Sequence, residues 1–266
     1  MTLDVAAALE FAVDTACAAG DLILGHDAPV PQRAPRMKGE RDPVTEADVA
    51  SERLIVARIR EAFPDTAICA EEETRDEPDG RPMWYVDPLD GTVNFSQAHP
   101  FFGVSIALYQ GDEPLVGVVH VPRLGETFAA AAGQGATLNG ETIHVSAKQR
   151  LLDCVLATGF AYGRAELPDN NVDHFSKLVL QVRGLRRGGS AALDLAYVAA
   201  GRLDGHWEPH LNAWDLAAGV LLVREAGGVV TDMRGGGDWL HGRSLCAAAP
   251  GVHGLLLEQL AGETPP

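Results

Sequence analysis

The sequence predicts an α+β fold on three observations. Two stretches near the start carry apolar residues at helical spacing, a run of short apolar segments bounded by turn residues follows them, and a second alternation of strand-like and helix-like segments begins after about residue 151. Residues 3–24 are Ala-rich and apolar through Leu3, Ala7, Phe11, Cys17 or Ala18, and Leu22, predicting an amphipathic helix that Pro29, Pro31 and Pro35 stop. A second helix starts at Thr45, where Thr45-Glu46-Ala47-Asp48 has the form of a capping box and Ile55, Ile59 and Phe63 line one face; Pro64-Asp65 ends it.

Strands are expected at 67–70, 83–86, 104–109, 115–121 and 126–130, with antiparallel pairing in one sheet. The turn 110–114 joins two of them, and Asn139-Gly140 is a hairpin turn between 136–138 and 142–144. The second half predicts strand 155–158, helices 172–181 and 191–200, strand 203–207, helix 216–225, and strands 228–231 and 245–248. No Pro/Gly/Ser-rich linker separates the halves, only a polar stretch at 146–152. The expectation is therefore two sub-domains, 1–150 and 151–266, sharing an interface of the kind active sites favour.

Composition narrows the function classes. The chain has 46% hydrophobic and 22% charged residues, as an ordinary globular protein does. Its 37 acidic against 21 basic residues give a formal charge of −16, which repels nucleic acid and anionic membrane surfaces. A small anionic substrate remains compatible with that charge if bound cations invert the local potential. The single cysteines Cys17, Cys69, Cys154 and Cys246 form neither a zinc ribbon nor a disulfide framework and are expected as free thiols. Asp4, Glu10 and Asp14 interrupt what would be a signal peptide, and no apolar run reaches membrane-span length, so a cytoplasmic protein is expected.

The chemistry concentrates in three segments. Trp84-Tyr85-Val86 runs into Asp87-Pro88-Leu89-Asp90-Gly91-Thr92-Val93-Asn94-Phe95, so two aspartates end an apolar strand and Gly-Thr follows them. Carboxylates there suit a hard cation, and Gly91-Thr92 could offer backbone N–H groups to a phosphate. Glu71-Glu72-Glu73 ends the preceding strand; alone it would be a solvated acidic loop. Asp215, in Asn212-Ala213-Trp214-Asp215, stands where a simple helix cap would also stand. Motifs for a P-loop, a zincin helix or a nucleophile elbow are absent, and Gly133-Gln134-Gly135 lacks the third glycine of a dinucleotide fingerprint.

The order Glu-Glu, Asp-Pro-Leu-Asp-Gly-Thr-x-Asn-Phe, then Trp-Asp-x-Ala-Ala-Gly resembles the inositol monophosphatase family of lithium-sensitive, metal-dependent phosphatases. Lys38 to Asp48, Gly189-Ser190-Ala191-Ala192, residues 201–208 and Glu225-Ala226-Gly227-Gly228 also fall in family-like order. The resemblance implies a layered α/β/α/β/α sandwich, commonly dimeric, and a Mg²⁺-dependent phosphomonoesterase acting on inositol monophosphate. It implies that Glu71, Asp87 and the Leu89 carbonyl hold one Mg²⁺, that Asp87, Asp90 and Asp215 hold a second, and that a weaker third leans on Glu71 and water. Glu71, Asp90 and Thr92 would be catalytic. Asp90, Gly91, Thr92, Gly189, Ser190, Ala191, Glu208 and Asp215 would bind substrate, with Glu208 on its hydroxyls.

Alternatives stay open. Histidinol-phosphate phosphatase, fructose-1,6-bisphosphatase and nucleotide-3′-phosphatase share the motif, and Glu208 could equally bind an amine. Some bacterial relatives assist RNA-related assemblies, which gives a non-enzymatic regulatory module as a further alternative. Arg183, Arg186 and Arg187 read either as a solvated face or as an aid to phosphate attraction. Trp214 reads as core, Asp48 as a cap, and His206 and His210, separated by Pro209, as ordinary histidines.

Overall fold

Alternation along the strands decides the layering. In the computed structural model, which describes residues 3–26 and 35–261, strand β4 (Met83–Asp90) turns Trp84 and Val86 to one side and Met83 and Tyr85 to the other. Strand β5 (Gly103–Gln110) divides in the same way, Ile106 and Leu108 from Ala107 and Tyr109. A strand buried on both faces needs cover on both.

One face is covered by α1 (Val5–Gly25) and α2 (Glu46–Ala62). The buried stripe of α1 is Ala8, Ala12, Ala16, Ala19 and Ile23 rather than the Leu3, Ala7 and Phe11 line expected from sequence, because the helix packs tightly on the sheet. A Cβ at Gly20 would come within 2.5 Å of the His120 ring. Asp4 caps α1 through the amides of Ala6 and Ala7. The helix ends at Gly25. Pro35 follows in the chain, while Pro29 and Pro31 lie outside the described residues. Thr45 and Asp48 form the expected capping box of α2.

The sheet itself has seven strands in chain order: β3 (Ala67–Ala70), β4, β5, β6 (Glu113–Val121), β7 (Glu126–Ala131), β8 (Ala136–Leu138) and β9 (Glu141–Ile143). Its pairs are antiparallel except β3 with β4, which run parallel, against the expectation of antiparallel pairing throughout. The stretch between residues 70 and 83 carries the acidic segment back across the sheet end, which makes the parallel pairing possible. A short antiparallel ribbon, β1 (Arg36–Met37) with β2 (Pro43–Val44), precedes α2.

The second face is covered by α5 (Ala191–Ala199) and α6 (Ala213–Glu225), which also pack on a five-stranded sheet. That sheet has the order β11 (Gly184–Arg186), β10 (Val155–Thr158), β12 (Gly205–Pro209), β14 (Ser244–Ala248), β13 (Val229–Thr231). Its outer face carries α4 (Val172–Leu178) and α7 (Pro250–Leu260), completing the α/β/α/β/α order. The sheet-to-α6 contact is close: a Cβ at Gly117 would lie 2.7 Å from the Ala218 carbonyl, and the Tyr109 hydroxyl donates to the Ala217 carbonyl at 2.8 Å.

Boundaries in the second half shift from the sequence reading. Helix α4 stops at Leu178, not residue 181, and a turn closed by the Gln181 amide on the Leu178 carbonyl follows it. Strand β12 begins two residues later than expected because Asp204 is taken up by Lys148 and the Val155 amide, and it runs on to Pro209. Helix α6 begins at Ala213, three residues earlier. Strand β11 and helix α7 were not expected. All four cysteines are free.

Candidate active site

Residues three apart on a regular strand point to opposite faces. Asp87 and Asp90 nevertheless reach the same cavity, because the β4–β5 register shifts between the pairs Asp87 with Ser105 and Asp90 with Gly103. Gly91 then adopts φ +94°, where a Cβ would meet the Phe101 carbonyl at 2.9 Å, and the chain turns into the short helix α3 (Thr92–Ser96). Asn94 fixes this turn by donating to the carbonyls of Phe101 and Gly188, at 2.6 and 2.9 Å.

The other carboxylates arrive from different layers. Glu71 follows β3, and the next three residues are held by Glu52 of α2, whose buried carboxylate accepts from the amides of Glu72, Glu73 and Thr74 at 2.7–2.8 Å. Asp215 is the third residue of α6 and not its cap: Asn212 is the cap, and the Asn212 amide donates to Asp215 Oδ2 at 2.7 Å. Asp90 Oδ2 accepts from the Ser190 hydroxyl at 2.6 Å and the Ala192 amide at 2.8 Å, which ties β4 to the start of α5. Arg75 donates to the Glu71 carbonyl and lies over the Trp214 ring, 4.6 Å from its centroid.

Every site residue expected from sequence lines one cavity of about 410 Å³: Glu71, Asp87, Leu89, Asp90, Gly91, Thr92, Gly189, Ser190, Ala191, Glu208 and Asp215. Its volume suits a small-molecule site. Sequence reasoning missed several wall residues, among them Asp42, Phe160, Tyr162, Asp194 and Arg243. Of the basic cluster, Arg187 lines the cavity while Arg183 pairs with Asp153 on the surface. Asp48 both caps α2 and accepts from the Thr92 hydroxyl at 2.8 Å, a second duty that sequence spacing does not reveal.

The electrostatics are unbalanced. Burial, then Glu71, Asp90 and Asp215, push the Asp87 carboxyl well above its ordinary range. Burial lifts Asp90 to about 6 against the hydrogen bonds from Ser190 and Ala192. Burial also raises Asp215 strongly and raises Glu71 against the pull of Lys38, whose ammonium is 2.9 Å from both Glu71 and Glu72. Four carboxylates and the Leu89 carbonyl are oxygen donors of the kind a hard divalent cation takes, and their mutual repulsion is what such a cation relieves. Among the described residues no three Asp, Glu, His or Cys side chains stand together as a group that could hold a metal ion by themselves. The donors fit Mg²⁺ in kind, around an open cavity.

Comparison with known proteins gives a consistent result. The profile of the inositol monophosphatase family matches residues 4–264. An inositol-1-monophosphatase of Synechocystis sp. is 46% identical over 224 residues, covering 84% of this chain and 78% of that protein. Nus factor SuhB of Pseudomonas aeruginosa is 41% identical over 263 residues, 97% of each chain. The solved structure of inositol monophosphatase from Anabaena (Nostoc) sp. superposes with a TM-score of 0.89 at 40% identity, covering 97% of this chain and 96% of that one.

Proposed function

The chain belongs to the inositol monophosphatase family, and from that premise we propose that it is a Mg²⁺-dependent phosphomonoesterase that hydrolyses inositol monophosphate to inositol and phosphate. The observation that carries the reading is the gathering of Glu71, Asp87, Asp90, Asp215 and Thr92 around one cavity, where burial and the neighbouring carboxylates push Asp87 and Asp215 upward. Glu71, Asp87 and the Leu89 carbonyl would hold one Mg²⁺, and Asp87, Asp90 and Asp215 a second, with a weaker third at Glu71. When bound, the cations supply positive charge that offsets the phosphate's own and polarises its oxygens.

The chain's residues do the rest. The Thr92 hydroxyl donates a hydrogen bond to Asp48, so the Thr92 oxygen is left to accept a hydrogen bond from a water in the cavity. Glu71 takes up a proton as that water attacks phosphorus in line; the P–O ester bond breaks, and the departing alkoxide takes a proton from solvent to leave as inositol. No phosphorylated residue intervenes. Gly91, Thr92, Gly189, Ser190 and Ala191 cradle the substrate, and Glu208 accepts from its free hydroxyls. As parts of the same proposal, the enzyme is cytoplasmic, homodimeric and inhibited by lithium. Among the described residues no helix is long and apolar enough to cross a membrane.

The test is phosphate release from inositol 1-phosphate, histidinol phosphate, fructose 1,6-bisphosphate and adenosine 3′,5′-bisphosphate, with and without Mg²⁺, by wild type and Asp90→Asn. Mg²⁺-dependent release that prefers inositol 1-phosphate and is lost in Asp90→Asn is expected. Preference for histidinol phosphate would move the assignment to that branch. A second reading, a regulatory module in an RNA-related assembly, draws on the Nus factor SuhB relatives. Its test is salt-sensitive RNA retention that survives Asp90→Asn, in a protein that releases no phosphate from any substrate.

A further inference from the structure

Strand β12 alternates, so Trp207 enters the outer core while His206 and Glu208 face the middle helical layer. His206 is fully buried, and neither ring nitrogen has a hydrogen-bond partner among the described residues. Its ring instead lies between two carboxylates: Nδ1 is 3.9 Å from Asp194 Oδ2 of α5, and Nε2 is 3.5 Å from Glu208 Oε2. A polar ring with this burial is sustained only by groups that compensate its lost water, and these two carboxylates are the ones in reach. Burial works against a charged imidazole, but Glu208, Asp194 and the more distant Asp90 outweigh it and shift His206 upward. Burial raises Asp194 to about 7 against the opposing pull of His206, with Glu208 and Asp90 adding to the rise and Arg187 opposing it.

Glu208 is also confined by backbone: a Cβ at Gly159 would lie 2.0 Å from Glu208 Oε1 and 2.3 Å from Oε2, so only bare backbone fits against the carboxylate. Both Gly159 and Glu208 line the cavity described above.

We propose that His206 is a positioning residue: it bridges Asp194 and Glu208 and fixes the Glu208 carboxylate as the acceptor for the free hydroxyls of a polyol phosphate, an inference that rests on the phosphomonoesterase reading. The imidazole touches no substrate. It acts by denying Glu208 other rotamers and by offering N–H groups to both carboxylates.

The experiment compares wild type, His206→Phe, His206→Gln and Gly159→Ala on inositol 1-phosphate and on phenyl phosphate, which carries no hydroxyl for Glu208 to bind. His206→Phe is expected to raise KM for inositol 1-phosphate about tenfold with kcat within about twofold, and to leave both constants for phenyl phosphate unchanged. Gly159→Ala, which displaces the same carboxylate, also raises KM for inositol 1-phosphate, and His206→Gln, which keeps an amide N–H donor, has a smaller effect than His206→Phe. Equal loss on both substrates, or an unchanged KM in both variants, overturns the proposal. ¹⁵N NMR of the His206 ring in unliganded protein is read alongside, with protons on both nitrogens near neutral pH and signals that move in Glu208→Gln as the expected result. A ring insensitive to Glu208→Gln overturns the bridge. Wild type that hydrolyses neither ester overturns the phosphomonoesterase reading instead, and the NMR result then decides the bridge alone.

Discussion

The Thr92 hydroxyl lies 2.8 Å from Asp48 Oδ1, joining residues 44 positions apart in the chain, and the Asp48 carboxylate is itself pinned by the backbone and side chain of Thr45. The same hydroxyl is 3.1 Å from the Leu89 carbonyl. One proton therefore serves two acceptors on the protein side, leaving the oxygen lone pairs for the cavity. Thr92→Val is expected to lower kcat on the order of a hundredfold with little change in KM, while Thr92→Ser keeps most activity. Steady-state phosphate release measures this, and a valine variant with wild-type kcat would refute the assignment.

Glu52 carries the loop behind Glu71 on three amide hydrogen bonds. Glu52→Ala removes both acceptor oxygens, and with them all three hydrogen bonds, at once. Water reaches part of that loop, so the expected cost is about 2 kcal/mol rather than the sum for three buried donors. Urea unfolding gives the stability change, and calorimetric Mg²⁺ titration should show weaker binding as Glu71 loses its support.

The raised carboxyls set a pH dependence with a definite sign. Asp90 moves from 3.8 to about 6 in the folded chain, and Asp87 and Asp215 also move upward. Between those two values the native state binds more protons than the unfolded chain, so without a divalent cation Asp90's contribution to stability falls as pH rises. A cation favours the ionised forms and opposes that loss. The Tm gain on adding MgCl₂ is expected to be larger near about pH 7.5 than near about pH 5. Thermal scans at both values, with and without Mg²⁺, provide the check, and equal gains would contradict it.

Gly117 sits where β6 meets α6. Its missing Cβ would lie 2.7 Å from the Ala218 carbonyl, a backbone atom that no side-chain rotation can move aside. Gly117→Ala is expected to destabilise the protein by about 1–3 kcal/mol, read from the urea midpoint. Gly227→Ala makes a useful comparison because its built Cβ meets nothing within 4 Å, so any cost there reflects only its positive φ of 86°.

Much of this architecture is legible in the sequence because alternation and turn chemistry are local. The strands of the first sheet, the Asn139-Gly140 hairpin and the Thr45 capping box follow from neighbouring residues alone. The three acidic segments were legible as well, as strand or helix ends rich in carboxylate. What was not legible depends on contacts distant in sequence. The parallel β3–β4 pairing, the Thr92 link to Asp48 and the Arg75 contact with Trp214 have no local signature. His206 is an intermediate case. Period-two alternation puts it on the same strand face as Glu208, but only α5 packing against β12 reveals Asp194 on its other side.

The strand order bears on when the site comes into being. Each strand of the seven-stranded sheet pairs with its immediate neighbours in the chain, whereas β10 of the second sheet must wait for β12, and β12 for β14. Contacts between near neighbours close first, because the loop entropy they cost is small. A chain emerging from the ribosome can thus assemble Asp87, Asp90 and Glu71 on a finished sheet edge while Asp215 is still to be synthesised. The cavity is then complete only when α5 and α6 dock between the two sheets and bring Ser190 and Asp215 to that edge.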